Sequence, residues 1–190
     1  MGKIDSAQRF ASPAGLAERG YALRSEKEED RPFLESLYIS VRRPELEMTG
    51  WTEEAKLGFL RQQYFCQDKH YAEAYFDAEF LILEQQGEPV GRLYLHRSQR
   101  EIRIVDVSLM PKVRNQGLGT LLLQGVFAEA EDAGLIVSIH VEKFNPAQNL
   151  YRRLGFTEVS ENGPYWLMEW MPSGLSSNEA QAESGRTRSE

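Results

Sequence analysis

Apolar positions along the middle of the chain recur with two periods, and these divide it into strands and helices. The alternation from Tyr21 to Ser25 predicts a short strand. Phe33, Leu34, Leu37 and Tyr38 share one face of a helix over Glu28 to Val41. Arg43-Pro44 breaks it, because proline disfavours the helical conformation of the residue before it. Thr52 caps a second helix with Leu57, Leu60, Tyr64 and Phe65 at helical spacing. Phe80 to Glu84 and Val90 to His96 read as a hairpin around Gln86-Gly87-Glu88-Pro89. Ile102 to Met110 is a long strand, and a helix then runs from Leu118 to a stop at Gly134. In the next strand Leu135, Val137, Ile139 and Val141 face one way, His140 and Glu142 the other. A short helix from Pro146 to Leu154 ends at Gly155, and Phe156 to Val159 with Tyr165 to Trp170 form a second hairpin.

The order is β-α-α-β-β-β-α-β-α-β-β. The central strand–helix–strand unit predicts a right-handed parallel crossover, flanked by antiparallel hairpins. The fold class is therefore α/β (α+β): a mixed, mostly antiparallel sheet with one central parallel pair and helices on both faces. Ile102 and Ile104 share one alternation phase, whereas Val105, Val107 and Leu109 take the other. Such a switch marks a β-bulge that would splay the parallel pair, or a strand buried on both faces.

Length and composition narrow the picture. At 190 residues the chain fits one domain, expected over 20–172, between an N-terminal tail over 1–19 and a Ser/Glu/Gly-rich tail over 173–190. No apolar run suits a bilayer or a signal peptide, so no membrane partner is expected. The single cysteine, Cys66, excludes an internal disulfide and any zinc spacing; a cytoplasmic protein without a metal is the simplest expectation. A net charge of −7 disfavours nucleic acid and mildly favours a cationic substrate, although it also serves solubility. A monomer or a homodimer is expected.

The most informative segment is Asp106-Val107-Ser108-Leu109-Met110-Pro111-Lys112-Val113-Arg114-Asn115-Gln116-Gly117-Leu118-Gly119-Thr120, a strand running through a glycine loop into a helix. The first turn of a helix offers unpaired N–H groups and partial positive charge, and glycines let that backbone approach a phosphate. Arg114 could add a charge-assisted contact. Leu122 replaces the third glycine of the dinucleotide fingerprint, and the Gly-Lys-Ser/Thr of nucleotide hydrolases is absent. From the residues alone the loop is a phosphate cradle or a tight helix-capping turn.

Arg114-Asn115-Gln116-Gly117-Leu118-Gly119 resembles the Gln/Arg-x-x-Gly-x-Gly/Ala signature of the GNAT superfamily of N-acetyltransferases, approached by Leu109-x-Pro111. Asn145-Pro146-Ala147-Gln148-Asn149-Leu150-Tyr151-Arg152-Arg153-Leu154-Gly155-Phe156 is similar to its Asn-x-x-Ala…Tyr…Gly-Phe block. The resemblance is detailed over 102–170 and topological before that. It implies acetyl-CoA as cosubstrate, with the pyrophosphate on the amides of Arg114, Asn115, Gln116, Gly117, Leu118, Gly119 and Thr120. The pantetheine arm would lie between the Ile102–Met110 and Leu135–Val141 strands. The thioester carbonyl would meet backbone N–H groups near Val107 and Leu109, and Asn145 would touch the coenzyme arm. Asn145 also reads as a plain cap before Pro146.

The resemblance implies transfer of the acetyl group to an amine of a small molecule or peptide, by direct attack in a ternary complex. An amine attacks only when unprotonated, and the departing thiolate benefits from a proton. Tyr151 is the family-matched acid, although Ala147, Leu150, Tyr151 and Leu154 also form a core stripe. Arg103 stands where many relatives carry a glutamate base, which leaves Asp106 or Glu101 as candidate bases; Asp106 reads equally as a structural acceptor. His70, His96 and His140 show no partner, and no motif supports Cys66 as a nucleophile. Glu45, Glu47 and Trp51, between the first two helices, could meet a cationic amine or simply form a loop with a packing Trp. A coenzyme-binding sensor or regulatory subunit without catalysis is the alternative.

Overall fold

The computed structural model describes residues 9–175. Its elements run α1 (Ala14–Glu18), β1 (Tyr21–Ser25), α2 (Arg31–Arg42), α3 (Glu53–Ala74), β2 (Glu79–Gln85), β3 (Glu88–Arg97) and β4 (Glu101–Leu109). Then follow α4 (Leu118–Ala133), β5 (Ile136–Glu142), α5 (Gln148–Arg153), β6 (Thr157–Asn162) and β7 (Tyr165–Trp170). The strands form one seven-stranded sheet in the order β1-β2-β3-β4-β5-β7-β6. It is mostly antiparallel with one parallel pair, β4–β5, in register from Glu101↔Ile136 to Ile104↔Ile139. This is the mixed fold the sequence predicts.

Two compact units divide these residues: 9–96 with 105–122, and 97–104 with 123–175. In the first, Leu34 and Tyr38 of α2 pack with Leu60 and Tyr64 of α3 and with Ile82 of β2. Thr52 caps α3 as expected, accepting from the Ala55 N–H at 3.2 Å. Phe65, expected on the apolar face, is 65% exposed. Leu60 and Tyr64 are four apart and point together, whereas Phe65 lies a further 100° round the helix. Between α2 and α3, Arg43–Thr49 continues as a 3-10 turn rather than an open loop.

The tail expected over 1–19 is shortened by the structure. The N–H groups of Arg9 and Phe10 bond to the buried Glu79 carboxylate at 2.6 and 2.9 Å. Phe10 is 2% exposed and Leu16 of α1 is fully buried. A Cβ on Gly15 would lie 3.2 Å from Leu121 Cδ1, so α1 sits close against the first turn of α4. Residues 1–8 and most of the expected C-terminal tail lie outside the described residues.

In the second unit β5 buries Val137, Ile139 and Val141 and exposes His140, as its alternation predicts. Phe127 of α4 stacks on Trp170 of β7 with ring centroids 4.5 Å apart, and Phe156 meets both Phe127 and Tyr151. Gly134 ends α4 with φ 66°, a conformation glycine adopts without strain.

Candidate coenzyme-binding and catalytic site

The glycine loop is built at the end of β4. Gly91 of β3 permits its approach: a Cβ there would lie 2.8 Å from the Ser108 carbonyl oxygen and 2.7 Å from Leu109 Cδ2. The Met110 N–H bonds the Val90 carbonyl at 2.8 Å. Arg114 turns back, its Nε donating to the Leu109 carbonyl at 2.8 Å, and burial lowers its pKa. Asn115 and Gly117 then take left-handed conformations, φ 59° and 77°. Among the described residues, the backbone N–H groups from Asn115 to Thr120 make no internal hydrogen bond; the ladder of α4 begins with Leu121 N–H to the Gly117 carbonyl at 3.0 Å. Such a run of unpaired donors at a helix start binds an anion.

The charges agree. Arg19, Lys112 and Arg114 surround the loop, and none has an ion pair among the described residues, where most other cations have one. No Asp or Glu occurs between Asp106 and Glu129. These residues fit the phosphates of a coenzyme.

Val105 to Leu109 are uniformly half-buried, although Ile102 and Ile104 just before them are fully buried. Asp106 is fully engaged there. Its Oδ2 accepts from Arg92 at 2.7 Å and from the Tyr71 hydroxyl at 3.2 Å; its Oδ1 accepts from the Ser108 hydroxyl at 2.6 Å. Arg92 is buried between the rings of Tyr71 and Tyr94 and donates also to Gln67. Burial and the adjacent Asp106 carboxylate push the Tyr71 hydroxyl well above its ordinary value. The structural role weighed for Asp106 is therefore real.

Glu101 lies in the other unit. Its Oε1 accepts from Arg103 Nε at 3.0 Å and Nη2 at 2.8 Å. Arg103 Nη1 lies 2.7 Å from His140 Nδ1. His140 is solvent-exposed overall, but partial desolvation of its ring against the sheet, then the Arg103 charge, lower its pKa. Burial and the nearby Glu101 raise that of Glu169. The polar side chains of β4 thus form two pairs, Glu101 with Arg103 and Asp106 with Ser108.

Tyr151 of α5 is 5% exposed, its ring edge-on to Phe156 at 5.6 Å. Asn145 Oδ1 accepts from the Ala147 N–H at 2.9 Å, a turn contact ahead of the helix rather than the N-cap read from the sequence, because α5 begins at Gln148 with Ala147 as its N-cap. Glu45 pairs with Arg42 at 3.1 Å, and Glu47 is exposed. Trp51 meets Phe59 edge-on at 5.4 Å beside an open groove of about 550 Å³ lined by Gly50, Thr52, Ala55 and Gln62. Cys66 is exposed, and His96 Nε2 lies 3.3 Å from Asp77.

The profile of the acetyltransferase (GNAT) family matches residues 45–156, well over half of the chain. The chain belongs to this family. An N-alpha-acetyltransferase from Sulfurisphaera tokodaii is 27% identical over 99 residues, 44% of this chain and 59% of that protein. The match thus spans less than two thirds of this relative's length. Among solved structures the GNAT fold is shared with the PaiA N-acetyltransferase of Thermoplasma acidophilum in complex with coenzyme A. That likeness has a TM-score of 0.61 and 19% identity, covering 80% of this chain and 98% of that one. The ribosomal-protein-S18-alanine N-acetyltransferase of Escherichia coli gives a TM-score of 0.52 and 19% identity over 83% of this chain and 97% of its own.

In this GNAT chain the sequence singled out the loop and Tyr151 as expectations; it did not single out Arg19, which bonds the Gln116 carbonyl, or Arg92 and Tyr71, which bond Asp106. Arg92 carried a signal, as a lone cation inside the apolar run of β3. Arg19 carried none, since it reaches the loop from 97 positions away.

Proposed function

We propose that this GNAT acetyltransferase carries the acetyl group of acetyl-CoA to an amine of a small molecule or peptide, by direct attack in a ternary complex. The supporting observation is the run of unpaired N–H groups from Asn115 to Thr120 beside cations with no ion pair. These residues, with Arg114, hold the pyrophosphate. Bound acetyl-CoA supplies an activated thioester. Backbone N–H groups at Val107 and Leu109 polarise its carbonyl, and Asn145 contacts the coenzyme arm. Tyr151 returns a proton to the departing thiolate. Asp106 or Glu101 relieves the amine of its proton: Asp106 acts through Ser108, which it orients, whereas Glu101 keeps Oε2 open. The named relatives are an N-alpha-acetyltransferase, a ribosomal-protein-S18-alanine N-acetyltransferase and the PaiA N-acetyltransferase, so both small amines and peptides belong in the test.

The experiment measures coenzyme A release from acetyl-CoA with a polyamine, free amino acids and a short peptide with a free N-terminus. Amine-dependent release is expected. Gly119→Glu should abolish acetyl-CoA binding in calorimetric titration while the protein stays folded. Binding without release to any amine would instead establish a coenzyme-binding subunit.

A further inference from the structure

We propose that Arg19 is a positioning residue of the coenzyme loop, holding the Gln116–Gly117 peptide so that the Gly117 N–H faces the coenzyme phosphate. The inference rests on the reading of 114–120 as the phosphate site. Arg19 ends α1 and lies outside the residues matched by the family profile, 45–156. Its Nη2 donates to the Gln116 carbonyl at 2.6 Å, and its Nη1 lies 3.9 Å from where a Cβ on Gly117 would stand.

In a trans peptide the carbonyl and the following N–H point in opposite directions. Fixing the Gln116 oxygen on Arg19 therefore turns the Gly117 N–H to the other side of the peptide plane. A carbonyl oxygen facing a phosphate would repel it. Bonded to a guanidinium, that oxygen is turned away, and the peptide is polarised so that its N–H becomes a stronger donor. The left-handed φ of 77° at Gly117 keeps this orientation free of side-chain strain.

The surroundings hold the arrangement in place. Gln116 Nε2 donates to the Lys112 carbonyl at 3.0 Å, and the Tyr21 hydroxyl reaches Gln116 Oε1 at 3.4 Å. The close approach of Gly15 to Leu121 anchors α1 beside the loop. Arg19 is exposed and has no carboxylate partner among the described residues, so its charge reaches the loop uncancelled. Ordering a long exposed side chain costs conformational entropy, and the Gln116 carbonyl is the group on which this one is ordered.

The test titrates acetyl-CoA into the full chain carrying Arg19→Ala, Arg19→Gln or Arg19→Lys, with melting curves recorded without ligand. Arg19→Ala should weaken binding by about tenfold or more, the worth of one charge-assisted hydrogen bond. Lys should restore part of the affinity, and Gln, a donor without charge, less of it. The penalty should shrink at high salt, and the unliganded melting temperature should stay unchanged. The penalty should persist with the 3′-dephospho form of acetyl-CoA; its disappearance there would move Arg19 to the 3′-phosphate and overturn the Gly117 geometry. Wild-type affinity in Arg19→Ala, alongside lost binding in Gly119→Glu, would overturn the role of Arg19 and leave the loop standing. Wild-type affinity in Gly119→Glu would remove the loop reading and this inference together. A lowered melting temperature without rescue by Lys would make Arg19 purely structural and overturn the proposal.

Discussion

Tyr151 is the residue at which packing and the proposed catalysis meet. Its ring packs on Phe156, so Tyr151→Phe keeps the aromatic contact and should fold. If the hydroxyl protonates the thiolate, turnover should fall by about 10²–10⁴-fold, the usual range for a positioned acid. Affinity for acetyl-CoA should change little, since 114–120 is untouched. Coenzyme A release together with calorimetric titration reads both quantities, and normal turnover would return Tyr151 to the core. His140 offers a second test at this scale. Arginine only donates, so its contact makes Nδ1 an acceptor and places the imidazole proton on Nε2. Partial desolvation and Arg103 favour the neutral form, so His140 should titrate below its ordinary 6.5. That contribution to stability is full above the ordinary value and is lost as pH falls through the folded one. Arg103→Gln should move the midpoint upward, as read by NMR, and an unmoved midpoint would remove Arg103 as a cause.

At the scale of elements, α1 is the clearest departure from the sequence reading. Its five residues, Ala14–Glu18, are too few to show a helical period. Its worth lies in Leu16, buried completely, and in the preceding Phe10, whose N–H is held by Glu79. Burying a large apolar side chain contributes about 1.5–3 kcal/mol. Deleting residues 1–18 should therefore lower the melting temperature by roughly 6 °C or more, at roughly 2–4 °C per kcal/mol for a chain of this size. The same deletion should weaken acetyl-CoA binding, because α1 carries the chain into Arg19. Unchanged melting would show that these contacts add nothing to the fold.

Across the whole molecule, carboxylates held in ion pairs should make acid its weak side. Asp30 illustrates the sign. Burial alone would raise its pKa, but Arg24, bonded to both its oxygens at 2.7 Å, and the Lys27 N–H hold the carboxyl below its ordinary value. A lowered folded pKa gives stability that is full above the ordinary value and is lost as pH falls through the folded one. Melting temperature should thus decline on acidification below about pH 4. Asp30→Asn should lower it at neutral pH and flatten that decline. Parallel acid profiles for both proteins would show that other carboxylates govern it.

The sequence by itself determined the order of elements from β1 onward, the fold class and the position of the glycine loop. Each of these follows from local rules: two hydrophobic periods, a Thr52 cap, glycines at 117 and 134 where left-handed backbone is needed, and a motif contiguous in the chain. Tertiary structure alone decided which polar groups are committed. Asp106 became an ion-pair partner of a buried Arg92 on another strand, whereas Glu101 pairs locally with Arg103, two positions along its own strand. Arg19 was brought to Gln116 across 97 positions. Pairings of this kind depend on strand register and on how closely backbones approach, as at Gly91 against Ser108. No local pattern encodes those distances, because a side chain's partner is set by packing rather than by its neighbours in sequence.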